Sequence, residues 1–338
     1  MEQVDVSVTV CTYNRAEMLR RALGSLICPE TDGAFSYEIV VVDDGSTDDT
    51  GDVVKEIAAS SQVPVRYVRK EGGGVAEARN TGVAEARGRW IAFFDDDQLA
   101  EADWLRNLVA IALEKGGDCV GGTRLLDLPQ ERLSRLGPVS RSILGENIYG
   151  DKATRLRGKV LPPTGSLLIA RGVFESIGVF DASMLFGGED SDFVVRAEAA
   201  GFDIWIAPDA VVHHVIPPNR LERAYFLWVA LRWGSQSAQI DCKHLGRGRM
   251  LLLCMARIGQ AILVNAPCLL TACLKRDAGD ILDRKWLLWR AVGYTRECLF
   301  LVAPNIFPQK RSFAALEFRR RQAPLQHTDG TDCFKQKR

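Results

Sequence analysis

The sequence predicts an α/β domain, a mainly parallel sheet flanked by helices, followed by a helical, membrane-associated C-terminal region. Three observations predict it. Strand and helix patterns alternate from the N-terminus onward, which is the signature of parallel βα units. The strand candidates are wholly apolar runs, as a sheet covered on both faces requires. Far downstream, Met250 to Leu274 gives 25 residues with one charge, Arg257.

Val6 to Val10 is the first strand, and Arg15 to Ile27 places Met18, Leu19, Ala22, Leu23 and Leu26 at helical spacing. Tyr37 to Val42 is the second strand, stopped by Asp43-Asp44-Gly45-Ser46. The cap-like Ser46-Thr47-Asp48-Asp49 then opens a helix from Thr50 to Ser60. Val65 to Val68 is a strand, Val75 to Ala86 a helix, and Trp90 to Phe94 the fourth strand. Between the third strand and the helix from Val75 sits Gly72-Gly73-Gly74, either a flexible turn or a loop whose amides face a phosphate.

The fourth strand runs straight into Asp95-Asp96-Asp97. Asp-x-Asp at the carboxyl edge of such a sheet offers hard oxygen ligands where α/β folds keep their ligand crevice. Mg²⁺ or Mn²⁺ suits that donor set. Read alone, an acidic triplet is more often a solvated turn. Cys11 to Arg15 and Asp43 to Ser46 end neighbouring strands and join it at one edge. A Gly-x-Gly-x-x-Gly dinucleotide loop does not follow Val10.

Formal charge is zero over 338 residues but unevenly spread. From Asn219 onward there are 21 Lys and Arg against 9 Asp and Glu, a net of +12, leaving −12 up to Pro218. This suggests an acidic catalytic part, residues 1–218, a helical membrane-associated part, 219–303, and a basic tail, 304–338. Met1 to Asp5 is short and polar and reads without a leader. Nine cysteines without Cys-x-x-Cys spacing read as reduced thiols of a cytosolic protein, not a disulfide or zinc framework.

Five segments in order resemble family 2 glycosyltransferases: Val10-Cys-Thr-Tyr-Asn-Arg15, Val41-Val-Asp-Asp-Gly-Ser-Thr-Asp48, Ala78-Arg-Asn-Thr-Gly82, Phe93-Phe-Asp-Asp-Asp97, and Gly178-Val-Phe-Asp with Gly187-Gly-Glu-Asp-Ser-Asp-Phe-Val-Val-Arg196. The resemblance covers roughly residues 5 to 216. It implies the Rossmann-like GT-A fold, a nucleotide-sugar donor, a divalent metal and inversion at the anomeric carbon. It also implies roles. Thr12, Tyr13, Asn14, Asp43, Asp44, Arg79, Asn80 and Asp96 would line the nucleotide, and Gly165 in Pro162 to Ser166 the donor sugar. Asp95 and Asp97 would hold the metal, with Asp97 the more direct ligand. Asp190 would be the base, with Glu189 beside it. A histidine after the last strand completes such sites, and His214 matches slightly better than His213. Asp192 and Arg196 read either as a surface ion pair or as positioners of the base loop.

Processive members of that family carry Gln-x-x-Arg-Trp. Here Val229 stands where the glutamine would precede Arg232-Trp233, which points to addition of one sugar per encounter. In the apolar stretch, Arg257, Gln260, Pro267 and Thr271 are expected on one narrow helical face, with a kink at Pro267. Lys275-Arg276, Trp286, Trp289 and Arg319-Arg320-Arg321 add the cations and aromatics of an interfacial anchor. The expected protein is a metal-dependent, inverting glycosyltransferase held peripherally on the cytoplasmic face of the membrane. Its acceptor would be a saccharide, plausibly lipid-linked, in envelope or exopolysaccharide assembly. A sugar-phosphate nucleotidyltransferase or a non-catalytic nucleotide-sugar-binding protein are the alternatives, disfavoured by the lysine-free first loop and the presence of Asp190. No nucleic-acid partner is expected.

Overall fold

The computed structural model describes residues 4–27, 30–157, 162–184 and 187–307. The basic tail expected over 304–338, with its arginine run, lies almost wholly outside them. Among the described residues one mixed sheet has nine strands: β1 Val6–Thr12, β2 Tyr37–Asp43, β3 Val65–Arg69, β4 Trp90–Asp95, β5 Gln98–Ala100, β6 Cys119–Asp127, β7 Thr154–Leu156, β8 Ser166–Ala170 and β9 Ile204–Val215. The helices are α1 Ala16–Leu26, α2 Thr50–Ser60, α3 Val75–Glu85, α4 Trp104–Lys115, α5 Gln130–Leu133, α6 Pro138–Ile143, α7 Arg171–Ile177, α8 Glu189–Ala199, α9 Arg223–Gln260, α10 Ala266–Lys275 and α11 Ala278–Val302.

The order across the sheet is β3-β2-β1-β4-β8-β6-β9-β5, with β7 also on β9. The first four strands are parallel, as their crossover helices demand. Beyond β4 the sheet becomes mixed. β8 runs antiparallel between β4 and β6, because it enters from the turn at Gly165 with Ser166 already opposite Phe94. Buried Val8, Val10, Ile39, Val41 and Phe94 meet α1, α2 and α4 on one face. Ile91, Phe93, Leu167 and Ile169 meet Phe174, Phe180 and Phe193 on the other. All seven described cysteines are free.

The C-terminal helices have a small cluster of their own, Ala238, Met250, Cys254, Tyr294 and Cys298, and also pack on the sheet domain. Trp286 of α11 stacks on Phe226 of α9, centroids 5.5 Å apart, in a cluster with Leu126, Ile143 and Leu144 of the sheet domain. The Asp283 carboxylate accepts the Val139 and Ser140 amides at 2.8 Å, capping α6 from another helix. Packing thus crosses residue 218, where the balance of charge changes. Helices α9 and α11 cross in backbone contact, for a Cβ at Gly234 would strike Arg290 O and one at Gly293 would strike Leu231 O.

Helix α9 breaks at Gly246, φ 80° and ψ 164°. At Pro267 the expected kink takes the form of a π-helical turn, Ala261–Asn265, just before it. Such a turn accommodates the N–H that proline lacks. Of the four residues expected on one face, three lie outward. Gln260, Pro267 and Thr271 are exposed, but Arg257 turns inward, its guanidinium 4.3 Å above the Tyr294 ring, and Asn265 is buried. Large apolar side chains face outward as well: Leu252 is 71% exposed, Leu263 76% and Leu274 85%. The helical stretch Arg223–Lys275 contains a window of mean hydropathy 1.5, long and apolar enough to cross a membrane and only 11% buried.

Candidate active site

The parallel register brings three loops to one sheet edge. Thr12 pairs with Asp43 and Cys11 with Asp95, so the acidic turn after β4 opens beside the loops after β1 and β2. Its three carboxylates diverge. Asp95 is partly exposed, 3.7 Å from the Arg79 guanidinium and 3.6 Å from that of Arg124. Asp96 turns inward, accepting from Thr12 Oγ1 at 2.8 Å and from Arg15 Nη1 at 2.6 Å. Burial pushes the Asp96 carboxyl up, Arg15 opposes that, and Asp97 adds to it. Its role in this geometry is to brace Thr12 and Arg15.

Asp97 is buried against two guanidinium groups and an imidazole. Arg220 Nη2 donates to Oδ2 at 2.8 Å, Arg15 Nη1 lies 3.2 Å from the same oxygen, and His214 Nε2 is 3.5 Å from Oδ1. Burial alone would raise this carboxyl. The Arg220 and Arg15 guanidinium groups outweigh it and hold Asp97 well below the usual carboxylate range.

Strand pairing explains why His214 is there. β5 follows the acidic turn at once and zips antiparallel onto β9, with Gln98 opposite His214, and the Val215 amide donates to Asp97 O at 2.9 Å. Within β9 the register against β6 jumps from Gly122–Ala207 to Thr123–Val211, a bulge that holds Pro208. Beyond it His214 points inward, while His213 points outward to Glu101 Oε1 at 2.9 Å. His214 Nδ1 is 2.7 Å from Leu144 O and donates to it, leaving the Nε2 lone pair toward Arg220 Nη1 at 2.8 Å.

On the side of the second strand, Asp43 is fully buried and accepts the Ser46 amide at 2.8 Å and the Tyr67 hydroxyl, so it shapes the loop. Asp44 is paired with Lys70 Nζ at 2.9 Å and accepts the Gly74 amide at 2.9 Å, holding the Gly72-Gly73-Gly74 loop, all three at positive φ, against the second strand. Asn14 sits at φ 51°, its side chain accepting the Thr47 amide at 2.7 Å. Tyr13 is 47% exposed at the mouth. A Cβ on Gly165 would collide with the Asp95 carboxylate, so only glycine lets that turn approach it.

Helix α8 brings the remaining carboxylates. Its N-cap, Gly188, adopts φ 97°. Glu189 is buried and paired with Arg79 Nη1 at 2.5 Å, with its Oε2 lacking a hydrogen bond. Asp190 is partly exposed and accepts the Ser191 amide on Oδ1 at 2.7 Å. Of the two, Asp190 is the one partly open to solvent, and Glu189 is buried. Asn80 is turned away from the edge, both ends of its amide spent on the Phe180 backbone at 2.9 Å. Asp192 is no surface residue: fully buried, it takes Arg196 Nε at 2.9 Å, Lys243 Nζ at 2.8 Å and His244 Nε2 at 2.9 Å, tying α8 to α9.

Asp97 and His214 converge as a carboxylate and an oriented imidazole, a donor pair that fits Mn²⁺. Asp95 stands apart with Arg79 and Arg124, and among the described residues no three acidic, histidine or cysteine side chains cluster tightly enough to hold a metal. Sequence reading missed Arg124, Arg220 and the Lys243–His244 pair. Arg15 lay within a quoted motif and was given no role.

Residues 7–171 match the family described as Glycosyl transferase family 2. Glycosyltransferase AglE of Haloferax volcanii is 27% identical over 63% of this chain and 67% of its own length. Succinoglycan biosynthesis protein ExoM of Rhizobium meliloti is 27% identical over 68% and 72%. Among solved structures, the Pyrobaculum calidifontis mannosyltransferase in complex with GDP-Man and Mn²⁺ superposes with TM-score 0.59 and 20% identity, over 87% of this chain and 88% of that one. That likeness establishes the GT-A fold.

Proposed function

We propose that this chain, which carries a family 2 glycosyltransferase domain over residues 7–171, transfers a sugar from a nucleotide-sugar donor to an acceptor hydroxyl, with inversion and with Mg²⁺ or Mn²⁺. The observation that carries the reading is Arg79. It reaches Asp95 on one side and Glu189 on the other, which sets Asp190 beside the acidic edge. The mannosyltransferase of similar fold holds GDP-Man and Mn²⁺, and a second structure of similar fold, S. aureus TarS at TM-score 0.50, holds UDP.

Asp97 and His214 would hold the cation, which when bound supplies charge against the diphosphate leaving group. Thr12, Asn14, Asp43 and Asp44 shape the nucleotide cleft, and Gly165 gives the donor sugar room beside Asp95. Asp190 takes the acceptor hydroxyl's proton on Oδ2, since Oδ1 already accepts the Ser191 amide. One base and no enzyme nucleophile suit a single displacement.

The acceptor is read as a membrane-borne saccharide. The outward apolar side chains Leu252, Leu263 and Leu274, with Lys275 and Arg276 beside them, support attachment to a membrane face. The relative named for succinoglycan biosynthesis supports a polysaccharide product. The anomeric proton followed by NMR during turnover tests inversion: product must appear first with the opposite configuration to the donor, and retention refutes single displacement.

A further inference from the structure

Arg220 stands on both atoms that the cation would need. It lies in the 3₁₀ turn Pro218–Leu221 just after β9 and reaches back along that strand. Its Nη1 donates to His214 Nε2 at 2.8 Å and its Nη2 to Asp97 Oδ2 at 2.8 Å. The contact is largely closed to water, side-chain exposures being 17% for Arg220 and 7% for Asp97. The planar fork satisfies a carboxylate and an imidazole together, a geometry that lysine does not offer. Arg15 adds a second guanidinium on the same Asp97 oxygen, and the Arg220 guanidinium also lies 6.0 Å from the centre of the Tyr225 ring.

Charge at this point decides the order of binding. One buried carboxylate, Asp97, already has two guanidinium partners, with Asp96 behind it engaged by Arg15. A bare dication arriving there meets two fixed positive charges in a poorly screened site. A diphosphate arriving with it reverses the balance, because its oxygens are bidentate partners for a guanidinium. Resting on the metal-dependent reading above, we infer that Arg220 is a resident counter-ion that keeps Asp97 and His214 closed to metal until the donor's diphosphate draws its guanidinium away. Metal and nucleotide sugar then enter together, and Arg220 passes from the metal-binding pair to the leaving group. Arg220 is on this account a positioning residue that sets the binding order.

The test uses the full chain, Mn²⁺ and the nucleoside diphosphates UDP and GDP. Free Mn²⁺ is measured by electron paramagnetic resonance, and nucleotide binding by calorimetry in chelator. Arg220→Gln should bind Mn²⁺ alone at least tenfold more tightly than wild type, and should bind the preferred diphosphate alone several-fold more weakly. A purely structural role moves both affinities down together. Arg220→Met keeps the aliphatic stem beside Tyr225 and carries the same test if the glutamine variant does not fold. Mn²⁺ that binds wild type with nucleotide, but gains nothing without it in either variant, overturns the role of Arg220 and leaves the metal reading standing. Mn²⁺ that fails to bind any of the proteins even with nucleotide present overturns the metal reading itself.

Discussion

Arg79 donates to Glu189 at 2.5 Å across 110 residues of sequence, joining the helix that follows the glycine loop to the helix that carries Asp190. Both side chains are buried, with the Arg79 guanidinium also 5.9 Å from the centre of the Phe180 ring. Removing one partner of such a pair leaves the other charge in the interior. Arg79→Met should therefore cost about 3–5 kcal/mol of stability, and Arg79→Met with Glu189→Leu should recover much of it. Denaturant unfolding of the two variants checks this, and an equal loss in both would argue against the buried charge as the cause.

Asp190 and Glu189 are adjacent yet differ in availability. Asp190→Asn should lower turnover by roughly 10² or more, the scale of general-base catalysis, while donor affinity stays within a few fold. Steady-state kinetics with separate donor titration distinguishes the two quantities. Near-normal turnover would move the base elsewhere.

Asp192 links α8 to α9, and its protonation gives a pH signature. Burial pushes its carboxyl up, but Lys243, Arg196 and His244 more than reverse that and leave it lowered. A lowered folded-state value means stability that is fully present above the unfolded-state value, about 3.9, and lost as pH falls through the folded one. Asp192→Asn should cost about 3 kcal/mol at neutral pH, and the gap to wild type should close as pH drops below about 4. Urea unfolding from pH 7 to pH 3 measures it. A gap that stays constant across that range excludes the ionised carboxylate as its source.

The outward apolar face of α9 and α10 calls for vesicles. The full chain should co-sediment with anionic vesicles, and salt should weaken this without abolishing it, because apolar insertion is unscreened. Changing Leu252, Leu263 and Leu274 to serine should release most of the protein while leaving the fold intact, since all three are exposed. Wild-type protein that stays in the supernatant at low salt would refute the anchor.

Much of this architecture was legible in the chain. The helix read as Thr50 to Ser60 is α2 to the residue, because its cap signals and apolar spacing agree. The first four strands extend beyond their apolar runs to Thr12, Asp43, Arg69 and Asp95, since pairing continues into polar residues. The strand β6 was not legible: Gly121, Gly122, Thr123 and Arg124 break its apolar pattern, and their reason is the bulged partner β9. Asn80 shows the limit of a motif, which marks a position but not which way the side chain turns. Arg220 follows two prolines and an asparagine in a turn without periodicity, and only the folded chain brings it to Asp97 and His214.

The central claim, a metal-assisted nucleotide-sugar site at the acidic sheet edge, is tested most directly by donor binding. Full-length protein should be titrated with a panel of UDP- and GDP-sugars in Mn²⁺, in chelator, and as the Asp97→Asn variant. At least one donor should bind wild type with Mn²⁺, and that affinity should fall at least tenfold both in chelator and in Asp97→Asn with circular dichroism unchanged. Donor binding equally tight in all three conditions, or no binding of any nucleotide sugar, would contradict it.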